Sequence, residues 1–255
     1  MNALHRVLLA AALSILAYDV TFGIINGKKA DENDLKFVVS VQNASKHKCG
    51  GLLIDRKFVL TAAHCSGRDM SVVIGTHNIG NTYGHRYKVK HSHRCPSYMK
   101  PKHGYDLMIL ELFKKVDRRY YEKTQIAWQF LEVPENSRCR VAGWGETETN
   151  KNPVSNLMVT DVSVVNSATC KKSWGEMGTK LPSGVICAGG SEKSGVCEGD
   201  SGGPLLCGDV VVGIVSFNFD KNCHYPNAPN VYTNIGFYRH WIISVVGKFS
   251  FFKDF

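Results

Sequence analysis

Beyond its first seventeen residues, the chain has no apolar run near the roughly 18 uninterrupted residues that a membrane-crossing helix needs, so no later segment reads as a span. It also lacks a low-complexity linker and any internal repeat visible to the eye, which argues for one domain rather than a tandem array. Acidic residues are the scarcer charge, 22 Asp and Glu against 31 Lys and Arg, giving a formal net charge of +9. No nucleic-acid recognition motif accompanies that excess, so DNA and RNA are not expected partners. No metal or cofactor site emerges either. The loop Gly75-Thr76-His77-Asn78-Ile79-Gly80-Asn81 has no carboxylate to cage calcium, and His91 and His93, alternating on an expected strand beside Cys95, read as surface residues rather than a zinc set.

What is present begins with an export signal. His5 and Arg6 precede an apolar run from Val7 to Ala17 that is too short to cross a bilayer, and polar Tyr18-Asp19 follows. Residues 1–17 are therefore expected to be a signal peptide, and the protein to be secreted or held in a secretory granule. The +9 belongs to residues 24–255, because Arg6 and Asp19 cancel in the segment ahead of Ile24. It concentrates in Lys46-His47-Lys48, in His85 to Arg94, in Lys114-Lys115 and in Arg118-Arg119. A solvated basic face would explain this; so would storage on a sulfated proteoglycan, since clustered Lys and Arg attract sulfate. Nine cysteines in an exported chain read as a disulfide framework with one left over, whose connectivity the spacing alone does not fix. Asn43-Ala44-Ser45 is the one glycosylation sequon.

Strand-like runs recur at short intervals, separated by Gly, Asn, Asp and Pro clusters: 37–42, 51–54, 58–61, 71–74, 87–90, 107–112, 139–142, 157–165, 185–188, 204–206, 210–217 and 230–234. Two helices are expected. One is a short turn opened by Asn166 or Ser167; the other runs from about Ile235 to Val246, with Ile235, Tyr238, Trp241, Ile242 and Val245 on one face. That pattern predicts an all-β sandwich or barrel closed by a C-terminal helix.

Three motifs carry chemistry. Thr61-Ala62-Ala63-His64-Cys65 supplies an imidazole, Gly104-Tyr105-Asp106-Leu107 a carboxylate, and Gly199-Asp200-Ser201-Gly202-Gly203-Pro204 a hydroxyl among glycines. Serine is a weak nucleophile until a base takes its proton. His64 can do so near neutral pH and then return the proton to a leaving amine. Asp106 would hold the imidazole tautomer, and the glycines let the N–H groups of Gly199 and Ser201 converge where an oxyanion develops. The chain order His, Asp, Ser resembles that of the trypsin-like serine proteases, and the resemblance extends over nearly all of Ile24 to Trp241.

The resemblance implies two six-stranded antiparallel β-barrels, residues 18–23 as an activation propeptide and 24–255 as the protease domain. It implies the pairs Cys49–Cys65, Cys139–Cys207, Cys170–Cys187 and Cys197–Cys223, with Cys95 left as a buried thiol or an intersubunit bridge. Proline and polar neighbours around Cys95 suggest exposure and hence a Cys95-linked homodimer. Ile24, freed as a new N-terminus, would place its ammonium on Asp200, which in the precursor should sit elsewhere. Ser216 would assist Asp106 and begin the substrate-binding strand. In the specificity pocket, Gly195 with Val196 stands where tryptic members carry an aspartate, Phe217 where tryptophan is usual, and Asn218 and Asn230 where open pockets have glycines. Small or medium non-basic P1 residues are thus expected. The basic charge and short non-basic propeptide resemble granule proteases such as granzymes and mast-cell proteases. Protein substrates, serpin-type inhibitors and a sulfated proteoglycan follow as partners, with no cofactor. An elastase-like digestive or plasma protease, and an inactive heparin-binding relative on the same fold, are the other readings.

Overall fold

β-Branched and other apolar residues placed at alternate positions form pleated surfaces that must be covered, and here they are covered by closing each sheet on itself. The computed structural model describes residues 24–80, 85–122, 124–129, 132–147, 152–189, 194–219, 223 and 228–247. The expected signal (1–17) and propeptide (18–23) lie outside the described residues.

The first barrel is built from β2 (Val38–Asn43), β3 (Lys46–Asp55), β4 (Phe58–Thr61), β5 (Met70–Ile74), β6 (His85–Arg94) and β7 (Met108–Leu112), closed in the order β2-β3-β4-β7-β6-β5. β4 and β7 pair from Phe58 with Glu111 to Thr61 with Met108, so the histidine segment leaves β4 beside the start of β7. The second barrel comprises β8 (Arg138–Gly143), β9 (Met158–Val165), β10 (Val185–Ala188), β11 (Pro204–Cys207), β12 (Val210–Phe217) and β13 (Asn230–Asn234). Its order is β9-β10-β13-β12-β11-β8, closed by β8 on β9, and the short β1 (Lys28–Lys29) hangs on β9. All twelve expected strands are present. β3 and β6 run longer than expected and β1 was not foreseen.

Helix α1 (Ser167–Glu176) starts where Asn166 accepts the Ala168 N–H at 2.8 Å, satisfying a donor the first turn leaves open. The closing helix α2 (Arg239–Val246) follows a 3₁₀ turn, Gly236–Tyr238, and buries Ile242 and Val246 on the first barrel's core. Among the described residues no helix is long and apolar enough to cross a membrane. Four disulfides join Cys49 to Cys65, Cys139 to Cys207, Cys170 to Cys187 and Cys197 to Cys223. The first ties residues 16 apart, a closure worth about 3 kcal/mol in the chain-entropy account.

Cys95 is the free cysteine, and it is 5% exposed. Burial pushes its thiol up from the ordinary range. The exposure expected from its polar neighbours is therefore corrected: the loop folds the sulfur inward, with the Cys95 N–H on the Leu107 carbonyl at 2.9 Å.

His91 and His93 are likewise more than surface residues. They face Glu111, a fully buried carboxylate on β7. His91 Nδ1 lies 2.9 Å from it, Lys57 3.0 Å, Lys90 3.4 Å and His93 3.8 Å. Burial alone would raise this carboxyl, but the hydrogen bonds from His91, Lys57 and Lys90 outweigh it and hold it near 2.

Candidate active site

The two barrels meet along a cleft of about 530 Å³ whose lining includes His64, Ser201, Gly199, Val196, Phe217 and Asn218. His64 sits in a 3₁₀ turn, Ala63–Cys65, directly after β4, and the Cys49–Cys65 bond pins that turn to β3. Its ring is about a quarter exposed, as a group reached by a ligand must be.

Asp106 is fully buried just ahead of β7. Its carboxylate accepts the His64 backbone N–H at 3.0 Å, lies 2.8 Å from His64 Nδ1, and accepts the Ser216 hydroxyl at 2.5 Å. An acceptor beside Nδ1 selects the tautomer with the proton there, which leaves Nε2 as the basic atom. Thr233 adds a hydroxyl to the Asp106 carbonyl at 3.4 Å, so the second barrel holds this aspartate through both Ser216 and Thr233.

Ser201 is carried on a turn that requires glycines. The Gly50 N–H donates to the Ser201 carbonyl at 2.8 Å, and a Cβ on Gly50 would fall 2.9 Å from Gly203 Cα. β3 and the serine turn thus approach backbone to backbone. Gly199, at φ +92°, takes a conformation that side-chain-bearing residues avoid, and it presents its peptide group beside the serine.

A histidine that the sequence grouped with the basic residues holds this peptide. His47 Nε2 donates to the Gly199 carbonyl at 3.0 Å, and His47 Nδ1 then accepts the Ser40 hydroxyl at 2.8 Å. Its ring packs edge-on to Trp144, and burial lowers its pKa to about 4, so it stays neutral. His47 therefore adds nothing to the basic face expected at Lys46-His47-Lys48. The signal that could have found it was the alternation on β3, where exposed Lys46 and Lys48 bracket it and buried Cys49 shares its side.

The expectation that Asp200 sits elsewhere ahead of cleavage is corrected: in the uncleaved chain it is fully buried, with its carboxylate on the Gly145 N–H at 2.7 Å and the Cys197 N–H at 2.9 Å. Burial raises its pKa to about 7, only partly offset by those two donors. No lysine, arginine or histidine pairs with it among the described residues. Ile24 is buried in the second barrel's core, and Ile25 exchanges backbone hydrogen bonds with Gly195 at 3.1 and 3.4 Å.

The expected pocket residues divide. Val196, Ser216, Phe217 and Asn218 line the cleft, whereas Gly195 and Asn230 do not. Gly195 is occupied by Ile25, and Asn230 is fully buried behind Val196, whose N–H it accepts at 3.1 Å. The expectation that Asn230 would form a wall is corrected accordingly: its side chain is buried on the Val196 N–H, away from the cleft lining. Trp174, held by its indole N–H on the Pro229 carbonyl at 3.1 Å, packs edge-on to Phe217 from behind.

Cys49, His64 and Cys65 are the group of potential metal ligands compact enough to converge among the described residues, but both sulfurs are consumed in a disulfide.

The trypsin family model matches residues 24–242. The chain belongs to the trypsin-like serine protease family. Human kallikrein-12 is 34% identical over 238 residues, covering 89% of this chain and 92% of that protein, and rat granzyme M is 33% identical over 235 residues, covering 89% and 90%. Among solved structures, that of mouse neuropsin, described as a serine protease expressed in the limbic system of the brain, superposes with a TM-score of 0.79 at 28% identity. The match covers 88% of this chain and the whole of that solved chain. The fold is that of this family, whose members are serine endopeptidases.

Proposed function

We propose that this chain is a secreted or granule-stored endopeptidase in which Ser201 is the nucleophile, His64 the general base and acid, and Asp106 the group that orients His64. The observation that carries the reading is the His64 Nδ1–Asp106 contact at 2.8 Å beside a cleft lined by both His64 and Ser201. His64 Nε2 takes the Ser201 proton as Oγ bonds to the substrate carbonyl carbon. The resulting oxyanion is held by the N–H groups of Gly199 and Ser201. His64 returns the proton to the departing amine, leaving an acyl-enzyme that water hydrolyses by the same steps.

Small or medium non-basic P1 residues are the preference of this reading: Val196, Phe217 and Asn218 line the cleft, and Glu198 is the one carboxylate among its described lining residues. Residues 1–17 act as signal and 18–23 as propeptide, and removal of the propeptide frees the Ile24 ammonium to pair with Asp200. Protein substrates, serpin-type inhibitors and a sulfated proteoglycan are the partners of this reading. A Cys95-linked homodimer is not carried forward, because the thiol is buried.

The test is a phosphonofluoridate label on the chain processed to Ile24, followed by a P1 peptide library. Labelling that disappears in Ser201→Ala, with cleavage after Arg and Lys at least tenfold poorer than after small apolar residues, supports the reading. A preference for Arg overturns the pocket assignment, and an unlabelled Ser201 overturns the enzyme.

A further inference from the structure

The rims of the cleft are unequally charged. Lys48 stands on β3 beside the Cys49–Cys65 bond, its ammonium donating to the Ser66 carbonyl at 2.7 Å. Lys100 and Lys102 flank Pro101 at the 3₁₀ turn Pro101–His103, which packs against β12. All three lysines are exposed and line the cleft that contains His64 and Ser201; among its described lining residues the one carboxylate is Glu198.

We infer that Lys48, Lys100 and Lys102 make this cleft select peptides with acidic residues on both sides of the scissile bond. The inference rests on the proteolytic reading above and adds the substrate class. A peptide reaching Ser201 along the edge of β12 at Ser216–Asn218 passes the turn that carries Lys100 and Lys102. Beyond the scissile bond it leaves along β3, whose Gly50 N–H holds the Ser201 carbonyl, and meets Lys48. Ser66 already fixes the Lys48 ammonium, so little side-chain freedom remains to be lost on binding there. A neutral or basic peptide would leave three ammonium groups facing its flanks with one compensating carboxylate.

An exposed ion pair changes affinity by only about 1.5- to 5-fold, so the preference has to come from several lysines acting together. Two acids before the bond and one after it should raise kcat/KM about tenfold at low salt, mainly through KM. The advantage should shrink in strong salt, where screening acts within a few ångströms.

The experiment uses the processed chain and two fluorogenic peptides built on the best P1 residue of the library. They differ only in carrying Glu or Gln at the second and third positions before the bond and the second after it. Faster cleavage of the Glu peptide is expected. Its advantage should be lost in Lys100→Glu/Lys102→Glu, be reduced in Lys48→Glu, and survive Lys→Arg at all three positions. Equal cleavage of both peptides, or a Glu preference that persists after charge reversal, overturns the inference while the protease reading stands. Cleavage of neither peptide, with Ser201 refusing the phosphonofluoridate label, overturns the protease reading and this inference with it.

Discussion

Asp200→Asn in the uncleaved chain is expected to raise stability above pH 7 while leaving a protein that cleavage cannot activate. The carboxyl is fully enclosed, and burial moves it from 3.8 to about 7. At 1.36 kcal/mol per pKa unit, that shift costs the folded precursor about 4 kcal/mol once the group is ionised. The folded carboxyl holds its proton more tightly than the unfolded one, so stability falls as pH rises from about 4 to about 7 and is level beyond. Asparagine is neutral throughout and removes this slope. Its amide nitrogen, however, must face either the Gly145 or the Cys197 N–H, leaving one buried donor unpaired at a cost of about 1–3 kcal/mol. The balance favours the variant by about 1–3 kcal/mol at pH 8 and favours wild type by at most about 2 kcal/mol at pH 4.5, where ionisation of the unfolded carboxyl already costs the folded wild type about 1 kcal/mol.

Urea unfolding followed by tryptophan fluorescence, in a Ser201→Ala background that prevents self-cleavage, measures both ends of this crossing. Once cleavage has freed the Ile24 ammonium, the wild-type slope should flatten, because the new cation stabilises the ionised carboxylate. Wild-type and variant curves that stay parallel from pH 4.5 to 8 would refute the assignment of Asp200 as the uncompensated charge. So would an Asp200→Asn enzyme with normal turnover after processing.

Two further outcomes follow from other contacts. Ser216→Ala should lower kcat about tenfold and lower Tm by several degrees, because it removes one of the three donors on the buried Asp106 carboxylate, a bond worth about 1.5–3 kcal/mol; unchanged turnover would show that His64 and Asp106 hold their geometry without it. Glu111→Gln should destabilise the protein by about 1–2 kcal/mol at pH 7, a figure discounted because its partners are partly exposed. A carboxyl held near 2 contributes stability that is present above about 4.5 and lost as pH falls through about 2, so the variant and wild type should converge in urea melts near pH 2.

Much of the fold was legible because its strands carry apolar runs bounded by turn residues. β7 and β13 are fully buried runs of five residues, and β12 is buried along most of its length. β6 was expected to stop at Lys90 because it is almost wholly polar, with Tyr87 as its buried residue. It continues to Arg94 through pairing with β7 and through Glu111, neither of which local composition can report. β1, two exposed lysines laid on β9, has no hydrophobic pattern to find. At the site, glycine-bracketed Ser201 and the motifs around His64 and Asp106 stood out in the sequence. The support beneath them did not: His47 was hidden by its charged neighbours, and Asn230 was placed by alignment on a wall when its side chain turns under Val196.

The division of the site between barrels explains why that support is built mainly of polar bonds rather than packing. His64 and Asp106 belong to the first barrel, and Ser201, Asp200 and Ser216 to the second. Their relative positions depend on whatever crosses the interface. The crossings beside the site are short and directional: Gly50 to Ser201, Ser216 and Thr233 to Asp106, and His47 to Gly199. Each fixes a donor on one barrel against an acceptor on the other near the reacting groups, where an apolar contact would tolerate sliding. A disturbance on the Asp200 side, such as the loss of an ammonium partner, therefore reaches the oxyanion donors through the turn that Asp200 shares with Ser201. It need not disturb the His64–Asp106 pair at all. On the activation reading proposed above, control of activity by the N-terminus would be a matter of shaping one turn, with the His64–Asp106 pair held by its own contacts.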